Sequence, residues 1–401
     1  MITLARRAGI APSAVREILK IAEQPDVLSF AGGLPAPELF PVEAIASAHQ
    51  QVLRTSGPSA LQYSTTEGFL PLRTWLASRY TKAGASTQPD DVLITSGSQQ
   101  GIDLVTRILV DPGSIVVTEN PTYLAALQVF ASAEARVITV GSDEHGMRID
   151  ELESALKHTR PRMIYLVPSF QNPRGTTLCL ERRKALVALA QRFEVPILED
   201  EPYAELRFRE KGLPSLASLD TEGVVVSLGT FSKTLAPGLR IGWLRASGAM
   251  MRAVIVAKQA CDLHCSSLTQ RVVAELLTQF DYEGHLEVIR GIYQERCAAM
   301  LEALERHLPE GSRWTRPDGG LFIWVELPVG LDAQALLPRA LEQKLAYVPG
   351  APFFASAPRL ESLRLNFSNR PPELIELGMR RLGAVVREAL GVPASEGASA
   401  S

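Results

Sequence analysis

Cysteine is scarce in this chain, with four residues in 401. So few cannot build a disulfide framework, and their scarcity suits a reducing cytoplasm. Long apolar runs are missing too: no stretch approaches the roughly 18 uncharged apolar residues that span a bilayer. Near the start, Arg6 and Arg7 lead into Gly9, Pro12 and a charged helix, which is not the grammar of a secretory leader. The formal net charge is only −3, and no basic cluster suited to gripping a polyanion occurs. Neither nucleic acid nor membrane is therefore expected as a partner. Arg182-Arg183-Lys184 and Arg380-Arg381 fall in helical stretches and read as solvated faces. Cys261-Asp262-Leu263-His264-Cys265 is faintly metal-like, but it lies in an apparently helical segment and has no second ligand pair of matching spacing. It reads as core or lining, and no metal site is expected.

What is present fits a soluble globular protein, with 46% apolar and 21% charged residues. A length of 401 exceeds one ordinary compact core, so two domains are expected. From about residue 91, short β-branched runs alternate with amphipathic helices. Strand candidates are Val92-Leu93-Ile94, Ile115-Val116-Val117, Val137-Ile138-Thr139-Val140, Ile164-Tyr165-Leu166-Val167, Pro196-Ile197-Leu198 and Val224-Val225-Val226. Between them, Ile102, Val105, Ile108 and Leu109 recur at helical spacing, as do Leu186, Leu189, Ala190 and Phe193. Strands apolar throughout belong to sheets covered on both faces, so an open, mostly parallel α/β sheet is expected. Beyond about residue 280 the pattern changes. A charged helix near 281–308 leads to a strand opened by Gly319-Gly320, then a helix, a short strand around Leu363-Arg364-Leu365 and a terminal helix to about Leu390. The expected division is an N-terminal arm joining the small domain (1–45), a large α/β domain (46–280), a small α+β domain (281–392) and a disordered tail (393–401).

Ligands of open α/β sheets sit at the carboxyl ends of the strands. There, Thr230-Phe231-Ser232-Lys233 follows a strand, and Arg240 comes seven residues later within Pro237-Gly238-Leu239-Arg240-Ile241-Gly242. A lysine beside two hydroxyls and a guanidinium suits a phosphorylated aldehyde: the amine condenses with the carbonyl while the other groups hold the phosphate. Burial lowers a lysine's pKa, and only the neutral amine is nucleophilic. Thr95-Ser96-Gly97-Ser98-Gln99-Gln100 joins a strand to a helix, whose first amides can face a phosphate. Glu199-Asp200-Glu201 ends another strand, and Asp200 lies 33 residues before Lys233. Glu199 and Glu201 read as a solvated turn. Arg364 sits in an otherwise apolar strand, where an unpaired charge is costly, and its fork suits a carboxylate.

The Lys233 segment, with Thr230 where serine is usual, resembles the cofactor-lysine segment of the class I/II aminotransferases. These are fold-type I enzymes dependent on pyridoxal 5′-phosphate. Ser29-Phe30-Ala31-Gly32-Gly33-Leu34-Pro35 and Gln62-Tyr63-Ser64 make the likeness greatest to the 2-aminoadipate and broad-specificity group. The resemblance implies a large domain with a mostly parallel seven-stranded sheet, a smaller α+β domain, and a homodimer with shared active sites. It implies a Schiff base on Lys233, phosphate contacts from Ser98, Gln99, Thr230, Ser232 and Arg240, and Tyr123 stacked on the pyridine ring. Asp200 becomes the partner of the ring nitrogen, while Tyr203 and Asn172 hold the phenolic oxygen. Arg364, Asn172 and Gly33 meet the substrate, and Tyr63 reaches the neighbouring subunit's phosphate.

By the same resemblance, Lys233 shuttles the α-proton while an amino group passes from an L-amino acid to a 2-oxo acid such as 2-oxoglutarate. Ser13 and Arg16, on an N-terminal helix, match residues that read the substrate's distal group, so acidic and larger apolar amino acids are the expected donors. Two other readings are weighed. Another fold-type I reaction, elimination or decarboxylation, would use the same lysine and aspartate, but Arg364 favours transamination. A cofactor-sensing regulator would need a winged helix, and only about 28 residues precede the Ser29 motif.

Overall fold

A computed structural model of the chain describes residues 26–210 and 212–391. Ser13, Arg16 and the tail after 391 lie outside the described residues. The described chain opens with a short strand, β1 (Leu28–Ser29). Then come β2 (Val92–Thr95), β3 (Ile115–Asn120), β4 (Arg136–Asp143), β5 (Gly146–Met147), β6 (Met163–Leu166), β7 (Ile197–Asp200), β8 (Val225–Thr230) and β9 (Gly242–Arg245). These eight form one sheet in the order β2-β9-β8-β7-β6-β3-β4-β5. The pairings from β8 through β7, β6 and β3 to β4 are parallel. β9 runs antiparallel to both of its neighbours, and β5 folds back antiparallel on β4.

The sheet thus has eight members where seven are expected. The eighth is the two-residue β5, which exists because Gly146 (φ 91°) takes a left-handed turn that an L-residue rarely adopts. Every predicted strand forms. β9 escapes sequence reading because its Gly-Trp-Leu-Arg alternates between buried and half-buried for only four residues, too short a pattern to register. Strands β2, β6, β7 and β8 are buried at every position, as coverage of both faces requires.

A second, four-stranded sheet has the order β10-β11-β14-β13, from β10 (Arg313–Trp314), β11 (Phe322–Glu326), β13 (Val348–Pro349) and β14 (Ser362–Asn366). The helices Tyr282–His307 and Pro372–Ala389 pack together beside it. β12 (Leu345–Ala346) pairs in parallel with β1, which ties the start of the described chain to this region. Phe30 closes the junction: a Cβ on Gly378 would stand 2.2 Å from its ring, so only glycine allows the terminal helix this close. One buried cluster runs unbroken from Leu93, Ile102 and Leu228 under the large sheet to Phe322, Val325 and Met379 under the small one. The two sheets therefore share one continuous core, and the strand ends of the first line a cavity with Arg364 of the second.

Two expectations are corrected, one of charge and one of helix continuity. Arg183 is not on a solvated face. Its side chain is 1% exposed and donates to the carbonyls of Leu178, Pro168 and Pro214, to Ser169 Oγ and to Glu201 Oε1. A lone arginine in a polar run gives no sign of such a carbonyl nest. The Cys261–Cys265 segment is not continuous helix: the helix ends at Asp262, and Leu263 takes a φ of 63°. Buried Cys265 there accepts a hydrogen bond from Lys258 Nζ at 3.2 Å.

Candidate active site

A cavity of about 300 Å³ opens at the carboxyl ends of β3, β6, β7 and β8. It gathers Gly33, Ser98, Gln99, Tyr123, Asn172, Asp200, Tyr203, Thr230, Ser232, Lys233, Arg240 and Arg364, every predicted site residue among the described ones except Tyr63. Tyr63 lies outside it, 79% exposed, with its ring edge-on to His264 at 5.8 Å.

One end of the cavity is built for an anion. The helix Ser98–Leu109 begins here behind Gly97, so the amides of its first turn point outward and its dipole favours negative charge. Gly97 has a φ of 81°, and a Cβ on it would stand 2.5 Å from Arg240 Nη2. That close approach lets Arg240 reach across and donate to the Ser96 carbonyl at 2.9 Å. Arg240 itself holds a φ of 51°, an uncommon conformation for a side-chain-bearing residue and one that clusters at functional sites. Thr230 Oγ1 and Ser232 Oγ lie 2.9 Å apart beside it. Gln99 leaves its buried Oε1 without a partner, while its Nε2 donates to the Ala125 carbonyl.

The amine of Lys233 donates to the Gly33 carbonyl at 2.7 Å. Burial, then the guanidiniums of Arg364 and Arg240, bring its pKa down to about 8. Near neutrality a sizeable fraction is therefore the nucleophilic neutral amine.

At the tip of β7, burial pushes Asp200 up to about 7, against the opposing hydrogen bond from Tyr165. The Tyr165 hydroxyl donates to Oδ2 at 2.9 Å. Oδ1 is buried with no partner. A buried carboxylate oxygen left unpaired is costly, and Asp200 lines the cavity, where a cationic N–H would satisfy it.

Opposite, Arg364 is 4% exposed and donates to Asn172 Oδ1 at 2.8 Å and to the Ala31 carbonyl at 2.7 Å, leaving Nε unpartnered. Its guanidinium lies over the rings of Phe322 (4.2 Å) and Phe353 (5.1 Å). Burial lowers its pKa to about 10, so it stays cationic at neutral pH without a carboxylate beside it. Asn172 Nδ2 in turn donates to the Tyr203 hydroxyl at 3.5 Å. Burial pushes the Tyr123 phenol up to about 12 and the Tyr203 phenol higher still, so both remain protonated.

The acidic triplet corrects the expectation of a solvated turn. Glu199 is fully buried and accepts the amides of Leu216 and Ala217. Glu201 accepts from Ser169 Oγ at 2.9 Å and from Arg183. Alternation along β7 sends Glu199 to the sheet face opposite Asp200. Sequence reading passed over Tyr165 and Gly97 as site residues. Tyr165 reads as one apolar member of a buried strand, whereas Gly97, between a strand and a helix, was a visible signal.

An anion cradle, a lowered lysine, a cavity-facing carboxylate with a free oxygen and an unopposed guanidinium fit a phosphate-bearing pyridine aldehyde and a carboxylate-bearing amine. The sequence profile described as "Aminotransferase class I and II" matches residues 25–382. The 2-aminoadipate transaminase of Thermus thermophilus is 45% identical over 96% of this chain and 96% of its own length. The aromatic-amino-acid aminotransferase 1 of Thermococcus litoralis is 43% identical over 95% and 93%. Among solved structures, the alpha-aminoadipate aminotransferase LysN of Thermus thermophilus, complexed with N-(5′-phosphopyridoxyl)-L-leucine, superposes with a TM-score of 0.91 at 45% identity, covering 97% of this chain and 98% of that one. This chain belongs to the class I and II aminotransferases, fold-type I enzymes that use pyridoxal 5′-phosphate.

Proposed function

We propose that this enzyme takes amino groups from L-amino acids with acidic or large apolar side chains, 2-aminoadipate and glutamate included, and passes them to 2-oxo acids such as 2-oxoglutarate. The observation that carries the reading is the meeting of Lys233, Asp200, Arg240 and Arg364 in one cavity. The substrate range is supported by the relatives named above, which act on 2-aminoadipate and on aromatic amino acids.

When bound, pyridoxal phosphate supplies an electron-withdrawing ring that takes up the electrons of the substrate's α C–H bond. The chain's own residues do the rest. Lys233 Nζ would hold the cofactor by its aldehyde carbon and, when freed from it, would take the substrate's α-proton as a general base and deliver it as a general acid to the carbon it had held. Asp200 Oδ1 keeps a proton on the ring nitrogen. Thr230, Ser232, Arg240 and the amides of Ser98 and Gln99 hold the phosphate, Tyr123 covers the ring, and Tyr203 and Asn172 donate to the phenolic oxygen. Arg364 fixes the α-carboxylate, beside the backbone of Gly33.

Ser13 and Arg16 read the distal group of the substrate in this proposal, a role supported by their sequence motif. Exposed Tyr63 reaches the phosphate of a second subunit, which makes the active unit a homodimer in the cytoplasm. A panel of amino donors with 2-oxoglutarate, following glutamate formation, tests the substrate class. Turnover of 2-aminoadipate and leucine is expected, and turnover confined to small neutral donors would overturn it.

A further inference from the structure

We infer that Tyr165 is a positioning residue for Asp200: its hydroxyl anchors Oδ2 and keeps the carboxylate ionised, which reserves Oδ1 for the ring nitrogen. The inference rests on the reading that Asp200 partners that nitrogen.

Three observations carry it. Among the described residues, the Tyr165 hydroxyl is the one hydrogen-bond donor on the Asp200 carboxylate, at 2.9 Å. Tyr165 is itself fully buried and fixed by strand pairing, opposite Thr118 on β3 and Leu198 on β7, with its ring edge-on to Phe130 at 5.5 Å. Its hydroxyl therefore cannot swing away to solvent. Burial and the nearby Asp200 carboxylate also hold the phenol far above its ordinary pKa, so it always has a proton to give.

A carboxylate so buried drifts toward the neutral acid, as the elevated pKa of Asp200 shows. Without Tyr165 neither oxygen would have a protein donor. A proton shared with a pyridine nitrogen would then settle on the oxygen. The neutral ring nitrogen that results is a poor electron sink.

The plainer alternative is that Tyr165 only fills the core beside Phe130, its hydroxyl taking whatever acceptor is near. Tyr165→Phe separates the two, because it keeps the ring and removes the hydroxyl. Holoenzyme reconstituted with pyridoxal phosphate ¹⁵N-labelled in the ring reports the protonation of that nitrogen by its chemical shift. In the wild type the signal is expected in the protonated range. In Tyr165→Phe it is expected to move toward the unprotonated range, and cofactor retention, measured by equilibrium dialysis, to weaken roughly tenfold, the scale of one hydrogen bond to a charged group. A folded Tyr165→Phe holoenzyme with an unchanged signal would overturn the inference. Asp200→Asn in the same measurement keeps the two readings apart. If Asn at 200 leaves the nitrogen protonated, the assignment of Asp200 fails. If it shifts the signal and Phe at 165 does not, only the role of Tyr165 fails.

Discussion

Arg364 and Asn172 stand 192 positions apart in the chain, yet the guanidinium of one donates to the amide oxygen of the other at 2.8 Å. The first projects from β14 of the four-stranded sheet, the second from the loop after β6 of the large sheet. The bond spans the cleft between the sheets. It ties the residue proposed to hold the substrate's carboxylate to the one proposed to hold the cofactor's phenolic oxygen, so both ligands are placed against a common frame.

Removing that guanidinium should act on substrate rather than on folding. Arg364→Ala is expected to raise KM for amino donors at least about tenfold, the scale of a lost charge-assisted hydrogen bond. Arg364→Lys should recover little, because an ammonium cannot make the paired contact. Steady-state kinetics with glutamate as donor check this, and an unchanged KM would move carboxylate recognition elsewhere.

The lysine gives a pH dependence whose sign is fixed. Its folded pKa is lowered to about 8, so the neutral amine grows as pH rises through that value. Cofactor uptake by the apoprotein should accelerate between about pH 7 and 9 and then level off. Because Arg364 is one of the cations that lower it, Arg364→Ala should move the midpoint upward. Stopped-flow absorbance at a series of pH values measures both, and a rate that falls over this range would contradict the assignment.

Gly97 should tolerate no side chain. A Cβ there meets Arg240 Nη2 at 2.5 Å, and the backbone is in the left-handed region. Gly97→Ala is expected to displace Arg240 and weaken cofactor retention by roughly tenfold or more, a loss of about 1.4 kcal/mol or beyond. Equilibrium dialysis against pyridoxal phosphate reads it.

Arg183 tests the buried nest behind the site. Arg183→Ala leaves Glu201 without its cation and frees the carbonyls of Leu178, Pro168 and Pro214. A loss of about 3–5 kcal/mol of stability is expected, the range for breaking a buried ion pair. Urea unfolding of the holoenzyme measures it, and a loss within about 0.5 kcal/mol, the scale of an exposed side chain, would contradict the nest.

Much of this site was legible because its chemistry is clustered at strand ends. The apolar runs announced the parallel strands, and the polar residues just beyond them, Asp200, Thr230 and Lys233, are the ones that line the cavity. What was hidden shares a physical cause: it depends on partners distant in sequence. Arg183 and Glu199 look like surface charges until the chain supplies the carbonyls and amides that bury them. Tyr165 looks like one more apolar strand residue, and its hydroxyl gains meaning only once β7 brings Asp200 alongside. β5 rests on a single left-handed glycine, which two residues of pattern cannot reveal.

The central claim is that one amine, Lys233, holds the aldehyde of the cofactor. Borohydride reduction of the holoenzyme, followed by proteolysis and mass spectrometry, tests it directly. The account predicts a single phosphopyridoxyl adduct on the peptide containing Lys233, absent from Lys233→Ala. An adduct on another lysine, or full cofactor fixation in that variant, would contradict it.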